Sequence, residues 1–246
     1  MNQPLKSLKV ILIGDTCVDE YHYGTIDRLS PEAPVPVFVK QREEIKEGMA
    51  ANVANNLEKL GVSVVKYLGL PSKKIRMIDV KSQQHVLRVD QDTQSQSLPT
   101  NTKFDFNVDA IVISDYDKGF VSYELIEQLI KSGLPVFVDT KKNNLQRFEG
   151  SFVKINNSEF QKAKTTIDNL IVTMGDRGVR YKNKIYPAPT VEITDVCGAG
   201  DTFLAALCYQ YLRTCDIDNA IKFAIRAASV TVKHIGVYAP TLEEIS

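Results

Sequence analysis

Three features of the sequence predict a three-layer α/β fold with a mainly parallel central sheet and a small β-sheet lid. Short continuous apolar runs such as Val10-Ile11-Leu12-Ile13 and Ala110-Ile111-Val112-Ile113 alternate with segments of helical period, as buried parallel strands and their crossover helices do. Several runs end in glycine, serine or aspartate followed by polar residues, which places polar groups beyond strand carboxyl ends, where open α/β sheets bind ligands. Two extended stretches, about 21–46 and 74–91, break the alternation and are expected to form the lid. Residues 1–246 are read as one domain, since this length suits one α/β body with an appendage.

In chain order, Val10–Ile13 is a buried strand opening at Gly14 onto Asp15 and Asp19, carboxylates placed to meet a ligand's hydroxyls or to face water. Pro31, Pro34 and Pro36 then exclude a helix and a central strand, so the next stretch is an edge hairpin or projecting flap. Gly48-Met49 opens a helix with Ala50, Val53, Ala54, Leu57 and Leu60 on one face, ended by Gly61. On it, Asn52 can donate and accept to a polyol, or cap, or face solvent. A strand over 62–68 runs through Gly69-Leu70-Pro71-Ser72 straight into the second lid hairpin, and 91–103 is a polar loop.

The strand ending at Ser114 carries Asp115 and Lys118 at its carboxyl end, where the lysine either neutralises a phosphate or lies in solvent. Ser122 caps the next helix, and Pro135–Asp139 and Ser151–Ile155 are further strands. Asn156 and Glu159, one helical turn apart, can hold magnesium-bound water or simply begin a helix. A strand over 170–173 leads into glycine turns and a hairpin over 180–186. Two helices close the chain, one from Asp201 and a last one from about Asp218.

The chemistry centres on Asp195-Val196-Cys197-Gly198-Ala199-Gly200-Asp201-Thr202-Phe203. Gly198, Ala199 and Gly200 let a ligand approach the backbone, and the free amides of the helix start attract anions. Asp201 is a carboxylate where a phosphate would be welcome. It makes sense as the base that takes a hydroxyl proton while the amides steady a transferring phosphoryl group. The alternative is a glycine turn with Asp201 as a helix cap.

Composition narrows the partners. Lys plus Arg and Asp plus Glu both number 30, so no global basic field points to nucleic acid or an anionic membrane. A hydrophobic fraction of 43% without a membrane-length apolar run or signal peptide leads to a cytoplasmic expectation. The four cysteines lack C-x-x-C spacing, and His22, His85 and His234 are scattered, so reduced thiols are expected rather than a zinc or disulfide framework. No G-x-x-x-x-G-K-[ST] loop occurs.

The Gly198–Asp201 stretch resembles the C-terminal signature of the ribokinase-type, or PfkB, sugar kinases, with Cys197 where threonine is usual. The segments Gly14–Tyr21, Arg28–Val37, Ala50–Ala54 and Ser114–Gly119 resemble the D-glycero-β-D-manno-heptose 7-phosphate kinases, a module that also forms the first half of a bifunctional kinase/adenylyltransferase. The resemblance implies a ribokinase-like fold and ATP-dependent phosphorylation of a sugar phosphate, with Mg2+ bridging nucleotide phosphates. It places Asp19, Gly48 and Asn52 on the sugar, Lys141, Asn156 and Glu159 near the phosphates or magnesium, and Thr173, Gly175 and Gly178 along the nucleotide channel. It also implies a homodimer through the lid. Met49 stands where the family has a second glycine, Ile225-Arg226 where it often has asparagine before small residues, and the segments after Leu68 and Glu159 are short. Two alternatives therefore stay open: a kinase for another sugar or sugar phosphate, and a non-catalytic sugar- or nucleotide-binding relative.

Overall fold

The computed structural model describes residues 7–246. Strand β1 (Leu8–Gly14) lies inside an eight-stranded sheet of order β12-β11-β10-β9-β8-β7-β1-β4. Its parallel part comprises β4 (Val62–Leu68), β7 (Ala110–Asp115), β8 (Val136–Thr140), β9 (Phe152–Asn156) and β10 (Leu170–Thr173). The antiparallel hairpin β11 (Val179–Tyr181) and β12 (Lys184–Tyr186) closes one edge.

The apolar runs are continuous because the sheet is covered on both faces. Val10 and Leu12 of β1 pack among α1 (Ala50–Lys59), α4 (Ala199–Thr214) and α5 (Ile217–Thr231). Ile11 and Ile13 join the opposite core with α2 (Tyr123–Ile130) and the 3-10 turn Leu145–Phe148. The expected caps form: the Ser122 hydroxyl accepts from the Leu125 amide, and Gly61 takes positive φ, as Gly133 does beyond the end of α2. Helix α4 begins at Ala199, two residues before the expected start. The one-turn helix α6 (Leu242–Ile245), rather than α5, is the last.

The lid is a separate four-stranded sheet of order β3-β2-β5-β6, formed by β2 (Thr16–Leu29), β3 (Pro36–Met49), β5 (Ser72–Asp79) and β6 (His85–Gln91). Its strands reach nearer the body than the expected boundaries, so Asp19 lies within β2 rather than in a loop after β1. Strands β2 and β5 pair in parallel, with Cys17 opposite Ser72, Asp19 opposite Lys74 and Tyr21 opposite Arg76. Because partners in register share a face, these residues line one side of the lid. Met49, at the β3–α1 junction, has φ of 56°, the region glycine enters without steric cost. Backbone geometry therefore gives one reason for a preference for glycine there, beside the space that a side chain would take.

Two economies set this body apart. Only Gly69, Leu70 and Pro71 separate β4 from β5, and α3 (Asn157–Lys162) is six residues long. Among the described residues, no helix is long and apolar enough to cross a membrane.

The chain passes from β1 to β4 on one side and later to β7 on the other, so a crevice opens where β1 and β7 end. Close backbone approach defines it: the Asp15 amide donates to the Ser114 carbonyl at 3.0 Å. A Cβ on Gly14 would lie 2.2 Å from that carbonyl oxygen and 2.8 Å from the Ala50 Cβ. Gly14→Ala is expected to lower unfolding free energy by about 1–3 kcal/mol through overpacking, seen as an earlier urea midpoint.

Candidate active site

The crevice is closed by the start of α4. Gly198 adopts the left-handed conformation at φ 75°, and a Cβ there would meet the Asn52 Nδ2 at 2.8 Å and the Val237 Cγ1 at 3.0 Å. The Asp195 carboxylate ties down the preceding bend by accepting from the amides of Cys197 at 3.0 Å and Gly236 at 2.8 Å. The Ala199 amide turns to the Val196 carbonyl at 3.3 Å, whereas no hydrogen bond outside the helix engages the amides of Gly198 and Gly200 among the described residues. Beneath Gly200 lies Lys154 of β9, whose Nζ would be 2.8 Å from a Cβ placed on that glycine. Lys154 is buried and paired with buried Asp139 of β8 at 2.6 Å, leaving Asp139 Oδ1 without a hydrogen bond. A ligand at this bend thus meets backbone donors and a buried ammonium together, a strong combination for an anion.

Asp201, only 4% exposed, sits in the first turn of α4. Its Oδ2 accepts from Asn52 Nδ2 at 2.9 Å and its Oδ1 from the Tyr116 hydroxyl at 3.0 Å. Burial pushes its pKa up to about 6; the Asn52 bond, Lys154 and the Tyr116 bond pull the other way, while Asp139 adds to the rise. A carboxylate poised there is ionised at neutral pH yet basic enough to take a proton. Asn52, in α1, gives its amide to Asp201 and accepts from Asn56 Nδ2.

The remaining expected residues divide between this centre and its frame. Asp15 is fully buried beneath the crevice, and its Oδ2 accepts from the amides of Tyr116 at 2.8 Å and Lys118 at 3.2 Å. Asp19 is buried in the lid, ion-paired with buried Arg76, and Gly48 supplies the space, since a Cβ there would lie 2.3 Å from Asp19 Oδ2. Asp115 accepts from Thr140 Oγ1 at 2.7 Å and Lys142 Nζ at 2.9 Å, which pins the loop after β7; burial pushes its pKa up. The Lys118 ammonium turns to Asp92 at 2.5 Å. Asn156 and Glu159 form a reciprocal capping box at the start of α3, with the Asn156 amide 2.7 Å from Glu159 Oε2. Glu159 Oε1 pairs with Lys141, whose Nζ stands 5.1 Å over the Tyr116 ring.

A separate apolar cleft leads to Ala199 and Gly200 from the far side. Thr173, Gly175 and Gly178 line one wall, and Val179, Phe203 and Ile225 contribute apolar surface. Gly175 and Gly178 have φ of 63° and 87°, and a Cβ on Gly178 would lie 2.0 Å from the Tyr186 carbonyl oxygen. Residues 155–244, which hold this cleft and the α4 start, match the model of the pfkB family carbohydrate kinases. That segment belongs to the PfkB carbohydrate-kinase family. Across 96% of its length it is 32% identical to a bifunctional protein HldE of Nitratiruptor sp., and across 97% it is 30% identical to one of Helicobacter pylori. It spans 64% and 66% of those relatives' lengths. The first alignment covers 298 positions, more than the 246 residues present here, so that relative has internal segments this PfkB-family domain lacks. Among solved structures, the fold is similar to a ribokinase from Thermotoga maritima, with TM-score 0.71, 17% identity and coverage of 97% of this chain and 98% of that one. It is also similar to phosphofructokinase-2 from Escherichia coli, with TM-score 0.73, 15% identity and coverage of 98% and 97%. At those identities the likeness establishes the ribokinase-like fold.

Tyr116, Lys154, Arg76 and Lys74 were not singled out in the sequence. Lys154 did carry a signal, being a lysine inside an otherwise apolar buried run. Tyr116 sits in the Ser114–Gly119 motif, where its charged neighbours carry the stronger signal. Arg76 and Lys74 depended on the parallel β2–β5 register, which local pattern does not encode.

Proposed function

We propose that this PfkB-family sugar kinase transfers a phosphoryl group from ATP to the anomeric hydroxyl of a heptose 7-phosphate. The observation that carries the proposal is Asp201: a buried carboxylate held on both oxygens, one residue beyond the donor-rich bend at Gly198–Gly200. Asp201 takes the hydroxyl proton as the sugar oxygen bonds to the γ-phosphorus and ADP leaves. The amides of Gly198 and Gly200, with Lys154, steady the charge on the phosphoryl oxygens. Thr173, Gly175 and Gly178 border the nucleotide, and the apolar wall around Ile225 receives its base. The sugar sits between Asp201 and the lid face bearing Asp19 and Lys74.

A magnesium ion arriving with the nucleotide would be held by the protein only indirectly, through water on Glu159. Both Glu159 oxygens already have protein partners, and no group of three or more His, Cys, Asp or Glu side chains among the described residues forms a cage. Such an ion would shield phosphate charge.

The choice of heptose rests on the HldE relatives and the matching segments in the first half of the chain. Phosphorylation of a different sugar is the second reading, and Met49 at the β3–α1 junction motivates it. ATP consumption across a panel of sugar phosphates tests both: turnover confined to another sugar removes the heptose assignment, and no turnover with any removes the kinase. The lid exposes Leu29, Val39, Ile45 and Leu87, apolar area that a second copy would cover, so a homodimer belongs to the same proposal. Four free cysteines and ATP dependence accord with a reducing cytoplasm.

A further inference from the structure

Tyr116 is uncharged and lies just outside the strands, and the structure aims its hydroxyl at the centre. It follows β7, and its backbone amide is anchored on buried Asp15 at 2.8 Å. Its hydroxyl donates to Asp201 Oδ1 at 3.0 Å, opposite the Asn52 bond to Oδ2. Two ammonium groups stand over its ring, Lys141 at 5.1 Å and lid-borne Lys74 at 5.7 Å. A cation on the face of a phenol draws electron density from it and strengthens the O–H as a donor.

We propose that Tyr116 is a positioning residue: its hydroxyl fixes the rotation of the Asp201 carboxylate and favours its ionised form, leaving one lone pair on each oxygen for the incoming hydroxyl. The inference rests on Asp201 acting as the base, as proposed above. In the transfer step the sugar O–H proton moves to Asp201, the sugar oxygen bonds to the γ-phosphorus, and the bond from that phosphorus to the bridging oxygen of ADP breaks. Tyr116 exchanges no proton. Burial around the phenol raises its pKa well above the ordinary value, so it stays a donor.

The other groups facing Asp201 are Asn52 on α1, Cys17 on β2, Asp139 on β8, Lys141 just beyond it, and Lys154 on β9. Of these, Asn52 alone also donates a hydrogen bond to Asp201. Deleting the Tyr116 hydroxyl therefore removes one of two direct bonds and leaves the surrounding charges in place.

Tyr116→Phe is the test, read in two ways. In the absence of substrate, 13C NMR of aspartate-labelled protein, assigned with Asp201→Asn, follows the Asp201 carboxyl through pH. Its midpoint should rise by about one to two pH units, as expected for loss of a hydrogen bond to a charged group. In turnover, kcat at pH 7 should fall about two- to tenfold and recover near pH 9, with KM for the sugar phosphate unchanged. An Asp201 midpoint that stays put in the variant overturns the proposal, as does a kcat loss equal at every pH. Because the NMR titration needs no substrate, it decides the role of Tyr116 even if the sugar assignment fails. Conversely, full turnover by Asp201→Asn would remove the base reading while the titration still reported on the hydrogen bond.

Discussion

Asp201→Asn is expected to lower kcat by about 10²- to 10⁴-fold while leaving the fold intact, because the amide cannot accept the hydroxyl proton. The affinity for sugar phosphate should change little, since the side chain keeps its size and can still accept from Asn52 or Tyr116. The wild-type rate should fall as pH drops through about 6, where Asp201 becomes protonated. The same substitution should stabilise the protein. Burial raises the folded-state pKa from 3.8 to about 6, so the folded form binds the proton more tightly than the unfolded chain. The stability this confers is fully present below pH 3.8 and is lost as pH rises through about 6. At pH 8 the ionised carboxylate therefore costs the native state on the order of 2–3 kcal/mol, which an amide does not. Turnover equal to wild type would sink the base assignment. A melting temperature lower than wild type at pH 8 would show that the carboxylate is not held against its burial cost.

Much of the body was legible because each signal was local. The Ser122 cap, the positive-φ glycines after α1 and α2, and the apolar runs of β1, β7 and β8 report backbone and burial demands met within a few residues of themselves. Asp201 was legible for the same reason, since a carboxylate after Gly198-Ala199-Gly200 is written in one stretch of chain. Less visible were the partners that sequence separation hides. The bond from Tyr116 to Asp201 spans 85 residues, and that from Asn52 to Asp201 spans 149. Lys118 and Asp115 stand out in the sequence by their charge, but the structure directs Lys118 to Asp92 and uses Asp115 to hold Lys142 and Thr140. Charge marks where a polar group must find a partner; only the fold says which one.

Arg76→Met is expected to destabilise the protein by about 3–5 kcal/mol, because it leaves the Asp19 carboxylate buried without its countercharge. In a chain of this size that corresponds to a melting temperature lower by about 10 °C or more. Other partners are poorer placed: Cys17 Sγ approaches Asp19 Oδ2 at 3.6 Å, a weak donor, and Lys46 and Lys74, opposite Asp19 on β3 and β5, would have to leave the Ile235 carbonyl and the Tyr116 ring to reach it. The methionine preserves most of the apolar stem, so lost volume contributes little, while the guanidinium 5.1 Å over the Tyr21 ring is lost with the charge. The double variant Asp19→Asn/Arg76→Met separates charge from packing. Removing both charges should recover most of the loss, since a buried pair contributes far less than one partner stranded without the other. If the double variant were as unstable as Arg76→Met alone, the cost would lie in lid packing. The same pair bears on the proposed sugar contact. Arg76 engages only Oδ1 of Asp19, and Oδ2 meets nothing stronger than the Cys17 thiol, so that oxygen keeps acceptor capacity for a sugar hydroxyl and Asp19→Asn should raise KM for the sugar phosphate.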